Sequence, residues 1–291
     1  MNAMKNVCCV AAVTACCLFS VATPAAFAQD HNVMGPPPVL VINREFTKPG
    51  KGGLHAKSES AFVAAAKAGK APFHYLAMTS MTGPDRALFF SGYDTLASFE
   101  SEMKATDKMP GLNASLDHAM VSDGDMLSAT DSSVWMRRDD LSLNDPGLHG
   151  ARYMEIEQFM VKPGHMHEWD ELVKMYVAGF KKIPGAHWET FQQVYGTNSN
   201  SFIAVTMLTS LKDADAEWAS YGPFAAAVGA DTMKKMSALE AACIESEQNN
   251  LFHISPSMSI PMEEWVKAEP EFWAPKKMAA PVKKAAAPEK K

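Results

Sequence analysis

Four side chains in the second half of this sequence have the types and spacing to move protons. Glu155 and Glu157 alternate with Met154, Ile156 and Met160, and His187 and Glu189 open the strand predicted over His187 to Val194. A period of two sets all four on one sheet face, where adjacent strands bring an imidazole close to carboxylates. Such a group can act as a general acid-base pair or contribute to a shared metal. The same face can equally be solvated or line a polar barrel, since an earlier, matching strand carries Val41 and Asn43 where this one carries the two glutamates. His187 does have a counterpart in His74, and each is followed by an aromatic, Trp188 or Tyr75. A structural hydrogen bond accounts for that pair as well as a functional role does. The catalytic candidates are therefore His187, Glu189 and Glu157.

Further candidates are of the binding kind. Arg44 and Gln158 occupy matching positions on otherwise apolar strand faces. A buried polar side chain needs a partner, so structural pairing is the first expectation for both and contact with a ligand the second. The ligand-binding candidates are Arg44, His74, Glu155, Gln158 and Trp188. His165, His167, Glu168 and Glu171 begin a predicted helix, but two ligands sharing a face do not complete a site, so no metal is expected. The methionines are scattered through strand and helix stripes, which fits core filling better than copper ligation. Cys243 lies on an apolar stripe and is expected to be inert.

The elements that position these residues come from an internal repeat. Leu40 to Phe46, followed by Lys48-Pro49-Gly50, reads again as Met154 to Met160, followed by Lys162-Pro163-Gly164. Each copy continues through a helical stretch, the His-aromatic pair, a turn and an apolar strand, so the duplication governs the fold. In the second copy Trp169, Leu172, Val173, Tyr176 and Phe180 form a helical stripe that ends at Ile183-Pro184-Gly185. Phe202 to Leu208 is a further strand. A helix from Leu211 is interrupted at Tyr221-Gly222-Pro223 and resumes through Met236 and Cys243, and Leu251 to Ile254 closes the unit. In the first copy Leu54, Ala61, Phe62 and Ala65 mark the helix, His74 to Met81 and Ala87 to Tyr93 a hairpin, and Val134 to Met136 the last strand. The fold class expected is α+β, with two tandem ferredoxin-like β-α-β-β-α-β domains at 29–138 and 151–258 and a linker at 139–150.

The chain of 291 residues begins with Lys5, an apolar run from Val7 to about Val21 and Ala26-Phe27-Ala28, the layout of a signal peptide over 1–28. Export to the periplasm or outside the cell is expected, with the mature chain starting at Gln29. Val13-Thr14-Ala15-Cys16 offers a lipoprotein box as the alternative. Four of the five cysteines lie in that leader, so Cys243 has no partner for an intramolecular disulfide and stability must come from apolar burial. A net charge of −6 argues against a nucleic-acid partner. No stretch of the mature chain is apolar enough to span a membrane. Beyond the second copy, 259–291 reads as an extended segment anchored by Trp265, Phe272 and Trp273, then a disordered Ala/Pro/Lys tail.

A strand ending in Phe-x-Lys-Pro-Gly or Val-Lys-Pro-Gly and leading into a helix with an aromatic such as Trp169 resembles the dimeric α+β barrel superfamily. Within it the pattern is most similar to NIPSNAP-type and antibiotic-biosynthesis-monooxygenase-type domains, over about Val39 to Arg137 and Arg152 to Ser255. The resemblance implies two ferredoxin-like units whose sheets close a barrel, as an internal pseudo-dimer or between chains of a homodimer. It also implies a range of functions, from cofactor-independent oxygenation to heme binding to no assigned activity. The mature chain has no Gly-x-Ser-x-Gly, phosphate loop, Rossmann glycines, His-Glu-x-x-His or Cys-x-x-Cys. What survives is an exported module that binds an unidentified small molecule or a partner, with no cofactor. The alternative is a cavity enzyme of the monooxygenase or heme-binding kind.

Overall fold

Eight strands close into one antiparallel barrel in the order β1-β3-β2-β8-β5-β7-β6-β4. The computed structural model describes residues 34–143, 146–198 and 200–273. The signal segment and the Ala/Pro/Lys tail expected from the sequence lie outside them. The first four strands are β1 (Val39–Thr47), β2 (Leu76–Ser80), β3 (Arg86–Tyr93) and β4 (Leu127–Arg137), and the second four are β5 (Tyr153–Val161), β6 (Glu189–Tyr195), β7 (Ser201–Leu208) and β8 (Ile244–Ile254). Each set is internally paired, β4-β1-β3-β2 and β8-β5-β7-β6. The sets join through β2 with β8 and β4 with β6, so closure occurs within one chain.

The period-two reading of β5 holds: Met154 and Ile156 face the barrel interior together with Leu40, Ile42, Phe90, Phe191, Ile203 and Phe252. The interior is thus a packed apolar core. Two short helices, α7 (Glu263–Ala268) and α8 (Pro270–Trp273), complete it, because their buried Trp265 and Trp273 pack into the same cluster. These residues were expected to run extended along the surface. The apolar barrel end instead gives the tryptophans more surface to bury, and Glu269 fixes the segment by pairing with Arg152.

Helices cover the outer face in two groups: α1 (Gly52–Ala68), α2 (Leu96–Asp107) and α3 (Pro110–Gly124), and α4 (Met166–Phe180), α5 (Leu211–Val228) and α6 (Ala230–Cys243). The repeated Lys-Pro-Gly turn does the same work twice. Gly50 and Gly164 sit at φ 78° and 87°, a region open to glycine at low cost. Lys48 Nζ donates to Asp125 O at 2.9 Å at the end of α3, and Lys162 Nζ donates to Ala241 O at 2.7 Å in the last turn of α6. Each lysine satisfies a helix carbonyl that lacks an intrahelical partner and complements the helix dipole.

Several boundaries differ from the sequence reading. β4 and β8 begin well before Val134 and Leu251, because their polar first halves are held by ladders on β1 and β5 and need no apolar pattern. Pro223 lies inside α5, and the break falls at Gly229 with φ 83°. The buried face of α1 carries His55, Glu59, Val63 and Ala66, while Leu54 is 53% exposed. The connecting stretch 139–150 holds a 3-10 turn at Asp139–Leu141, with Leu141 and Leu143 buried and Leu143 bridged to Trp188. Among the described residues no helix is long and apolar enough to cross a membrane.

Candidate functional site

Between the outer face of β5, β6 and β7 and the helices α4 and α5 lies a cavity of about 400 Å³. Its floor is the outward-facing set of strand residues, among them Glu157, Phe159, Thr190, Ala204 and Thr206. Its walls are aromatic. Trp169 packs against Phe159 at 4.9 Å between ring centroids, Phe180 meets Trp188 edge-on at 5.7 Å, and Tyr176 and Tyr221 line the α4 and α5 sides. The helical spacing of Trp169, Leu172, Val173, Tyr176 and Phe180, legible in the sequence, puts this stripe over the sheet. Trp169 Nε1 is buried and has no hydrogen-bond partner, and its ring lines the cavity.

The polar content is acidic. Glu157, Glu217, Glu240, Glu247 and Asp213 border the cavity, and among the described residues no lysine or arginine does. Burial, then Glu155 and Glu247, push Glu157 up to about 7. Glu217 is pushed up to about 8 by burial and by Glu155 and Glu157, although one side of it reaches solvent. Asn249 donates to Glu155 and, at 3.4 Å, to Glu157, which partly relieves that pair. Tyr176 donates to Glu240, and Asp213 is engaged in the capping box of α5, whose N-cap is Ser210, accepting from Thr209 N at 2.7 Å and Ser210 N at 3.0 Å. Glu157 and Glu217 therefore hold protons in the neutral range and can donate to, or pair with, a polar group on a ligand.

The sequence candidates divide between this cavity and other places. Glu157, His187 and Trp188 line it, and Glu155 adjoins it through Asn249. His187 lies against backbone, with Nδ1 2.8 Å from Gly185 O and Nε2 2.8 Å from Met207 O; a neutral ring carries one N–H and donates to one of these two carbonyls, which fix the ring's orientation. Glu189 does not join the group. The strand starts at Glu189, Trp188 and Thr190 point outward, and alternation turns Glu189 toward the barrel side, 3.5 Å from Arg137 Nε. Arg44 pairs with Asp131 at 2.7 Å and Gln158 donates to Ser201 Oγ at 3.2 Å, both at the polar end of the barrel interior, which matches the expected structural pairing. His74 lies in the other half, where it acts on Glu102. Of the helix-start group, His165 is 3.4 Å from Glu168 and Glu171 pairs with Lys235 at 2.5 Å. No ligand set forms there.

A second polar cluster escaped the sequence reading. Glu45 on β1, His55 and Glu59 on α1 and Asp123 on α3 each offer a ligand atom, all within 4.8 Å of one another. These residues come from three elements far apart in the chain, and His55 and Glu59, four apart on one helix, were the only local signal.

The cavity donors do not suit heme. Its one histidine faces two backbone carbonyls, Tyr176 and Tyr221 are both pushed up by burial, away from the phenolate that iron takes, and no basic side chain meets the propionates.

No protein-family model matches the sequence, and no curated protein matches it. Solved structures do. An anthrone oxidase-like protein has a TM-score of 0.49 and 14% identity over 75% of this chain and 91% of its own. A monooxygenase candidate from Lactobacillus acidophilus NCFM has 0.46 and 7%, over 75% and 94%. Chlorite dismutase from Candidatus Nitrospira defluvii in complex with imidazole has 0.45 and 8%, over 77% and 94%. At these values the likeness carries no activity to this chain.

Proposed function

We propose that this chain is an exported small-molecule-binding protein, built as a tandem of β-α-β-β-α-β units, whose second-half cavity takes an aromatic-sized apolar molecule bearing a protonated amine. One observation carries the reading: an aromatic-walled cavity of about 400 Å³ whose charged content is carboxylic, with no basic side chain on its lining. The volume lies in the range of about 300–1,000 Å³ usual for small-ligand sites. An ammonium group relieves the repulsion among Glu155, Glu157 and Glu217 and gains from the faces of Tyr176, Tyr221 and Trp188. Quenching of cavity tryptophan fluorescence by a panel of arylalkylamines and their neutral isosteres tests this. Amines should bind at least roughly tenfold more tightly, and Glu157→Gln should erase the preference. Equal binding of the neutral isosteres would sink the ammonium assignment.

A second reading is favoured by Glu157, which burial and its acidic neighbours bring to about 7, a value suited to a general base. In that reading Glu157 takes a proton from a phenol or enol, and the resulting anion supplies its own electrons to dioxygen. Oxygen uptake with phenolic substrates should then fall by about 10²–10⁴ in Glu157→Gln. Uptake unchanged by that substitution removes the reading.

A further inference from the structure

The first half of the barrel holds an ionic cluster where the second holds an aromatic stack. Glu45 matches Phe159 in the repeat, and His55 matches Trp169. His55 is 2% exposed, Asp123 5% and Glu59 7%, while Glu45 lies at the rim. His55 Nε2 is 2.8 Å from Glu45 Oε2 and 3.5 Å from Asp123 Oδ2. The imidazole thus meets at most two of three carboxyls. Asp123 Oδ1 is buried with no hydrogen-bond partner, and so is Tyr75 Oη, whose nearest charges are Glu59 and Glu45. The charges acting on Glu59 are Glu45 and Asp123, both of its own sign. Three carboxyls packed under a helix pair with one imidazole leave a deficit of positive charge among ligand atoms that lie within 4.8 Å of one another.

We propose that Glu45, His55, Glu59 and Asp123 form a binding site for one divalent first-row transition metal ion of the Mn²⁺ or Zn²⁺ kind. The donor set chooses the class. Mg²⁺ and Ca²⁺ take oxygen ligands, whereas an imidazole nitrogen beside carboxylates suits zinc, iron or manganese. The size agrees as well. Ligands at about 2.1 Å on opposite sides of an ion stand about 4.2 Å apart, so a spread of 4.8 Å closes with side-chain shifts of a fraction of an ångström. His55 and Glu59 present from one face of α1, Glu45 from β1 and Asp123 from the last turn of α3, so the ion ties both helices to the sheet. The site is separate from the aromatic cavity and does not rest on what that cavity binds.

The test uses the purified full chain after chelation and dialysis, titrated with Mn²⁺, Zn²⁺, Mg²⁺ and Ca²⁺ alone. One Mn²⁺ or Zn²⁺ per chain is expected, with a thermal midpoint raised by roughly 5–10 °C at a hundredfold excess over Kd. Glu59→Gln and Asp123→Asn keep shape and fold while weakening binding at least tenfold, and Glu264→Gln, an exposed carboxylate, leaves it unchanged. Failure of all four ions to bind near unit stoichiometry, or binding equal to wild type in both cluster variants, overturns the proposal. Anomalous diffraction from a Mn²⁺-soaked crystal decides it without any variant: a peak between Glu59 and Asp123 supports the site, and its absence there refutes it.

Discussion

Glu59 and Glu157 share one electrostatic condition, since burial and like-charged neighbours raise them from an ordinary carboxylate value to about 8 and about 7. In the unfolded chain both ionise near 4.5. Between that pH and their folded values the native state binds more protons than the unfolded state, so stability falls as pH rises. Their contribution is fully present below about pH 4.5 and is lost on passing through 7 and 8. Metal-free protein should therefore show a thermal midpoint that declines from pH 5 to 8, and the Glu59→Gln, Glu157→Gln double variant should flatten the decline. A double variant with the same slope as wild type contradicts the assignment. At this scale Glu157 was legible and Glu59 was not, because Glu157 sits in a strand whose alternation is visible, whereas the partners of Glu59 are defined by packing across three elements.

The packing of α4 against α5 rests on a single missing side chain. A Cβ on Gly179 would stand 2.4 Å from Phe224 Cε2 and 2.7 Å from Val228 Cγ1, and Phe224 stacks on Phe180 at 4.2 Å. Gly179→Ala should cost about 1–3 kcal/mol by forcing that stack apart, measured as a shift in the urea midpoint with an unchanged m-value. A neutral result would show that the helices slide without loss. The elements themselves were legible to different degrees. β5 and α4 announce themselves by period, and the Lys-Pro-Gly turns by repetition. α1 misleads, because its apolar Leu54 is exposed and its buried face opens with His55 and Glu59. Glu189 misleads for a smaller reason: the strand starts at Glu189, two positions after His187, so the loop histidine lies outside the alternation and reaches the cavity while Glu189 faces the barrel side.

At the scale of the molecule the ladder has no free edge among the described residues, since β2 pairs with β8 and β4 with β6. The alternatives left open by the sequence, pairing within the chain or between two chains, therefore lead to a definite expectation. Light scattering of the protein should give the mass of one chain, and a concentration-independent dimer would require an interface on the helices instead of the sheet. Trp265 and Trp273 act at this scale too, because a segment distant in sequence from β1 finishes the core that β1 begins. The closure has a consequence for how the protein can change. Where two identical subunits build a barrel, every mutation is copied into both sides and each side must tolerate it. Here a substitution alters one side alone, so the oily chamber under one pair of helices and the salt-like nest under the other can each change without spoiling its neighbour.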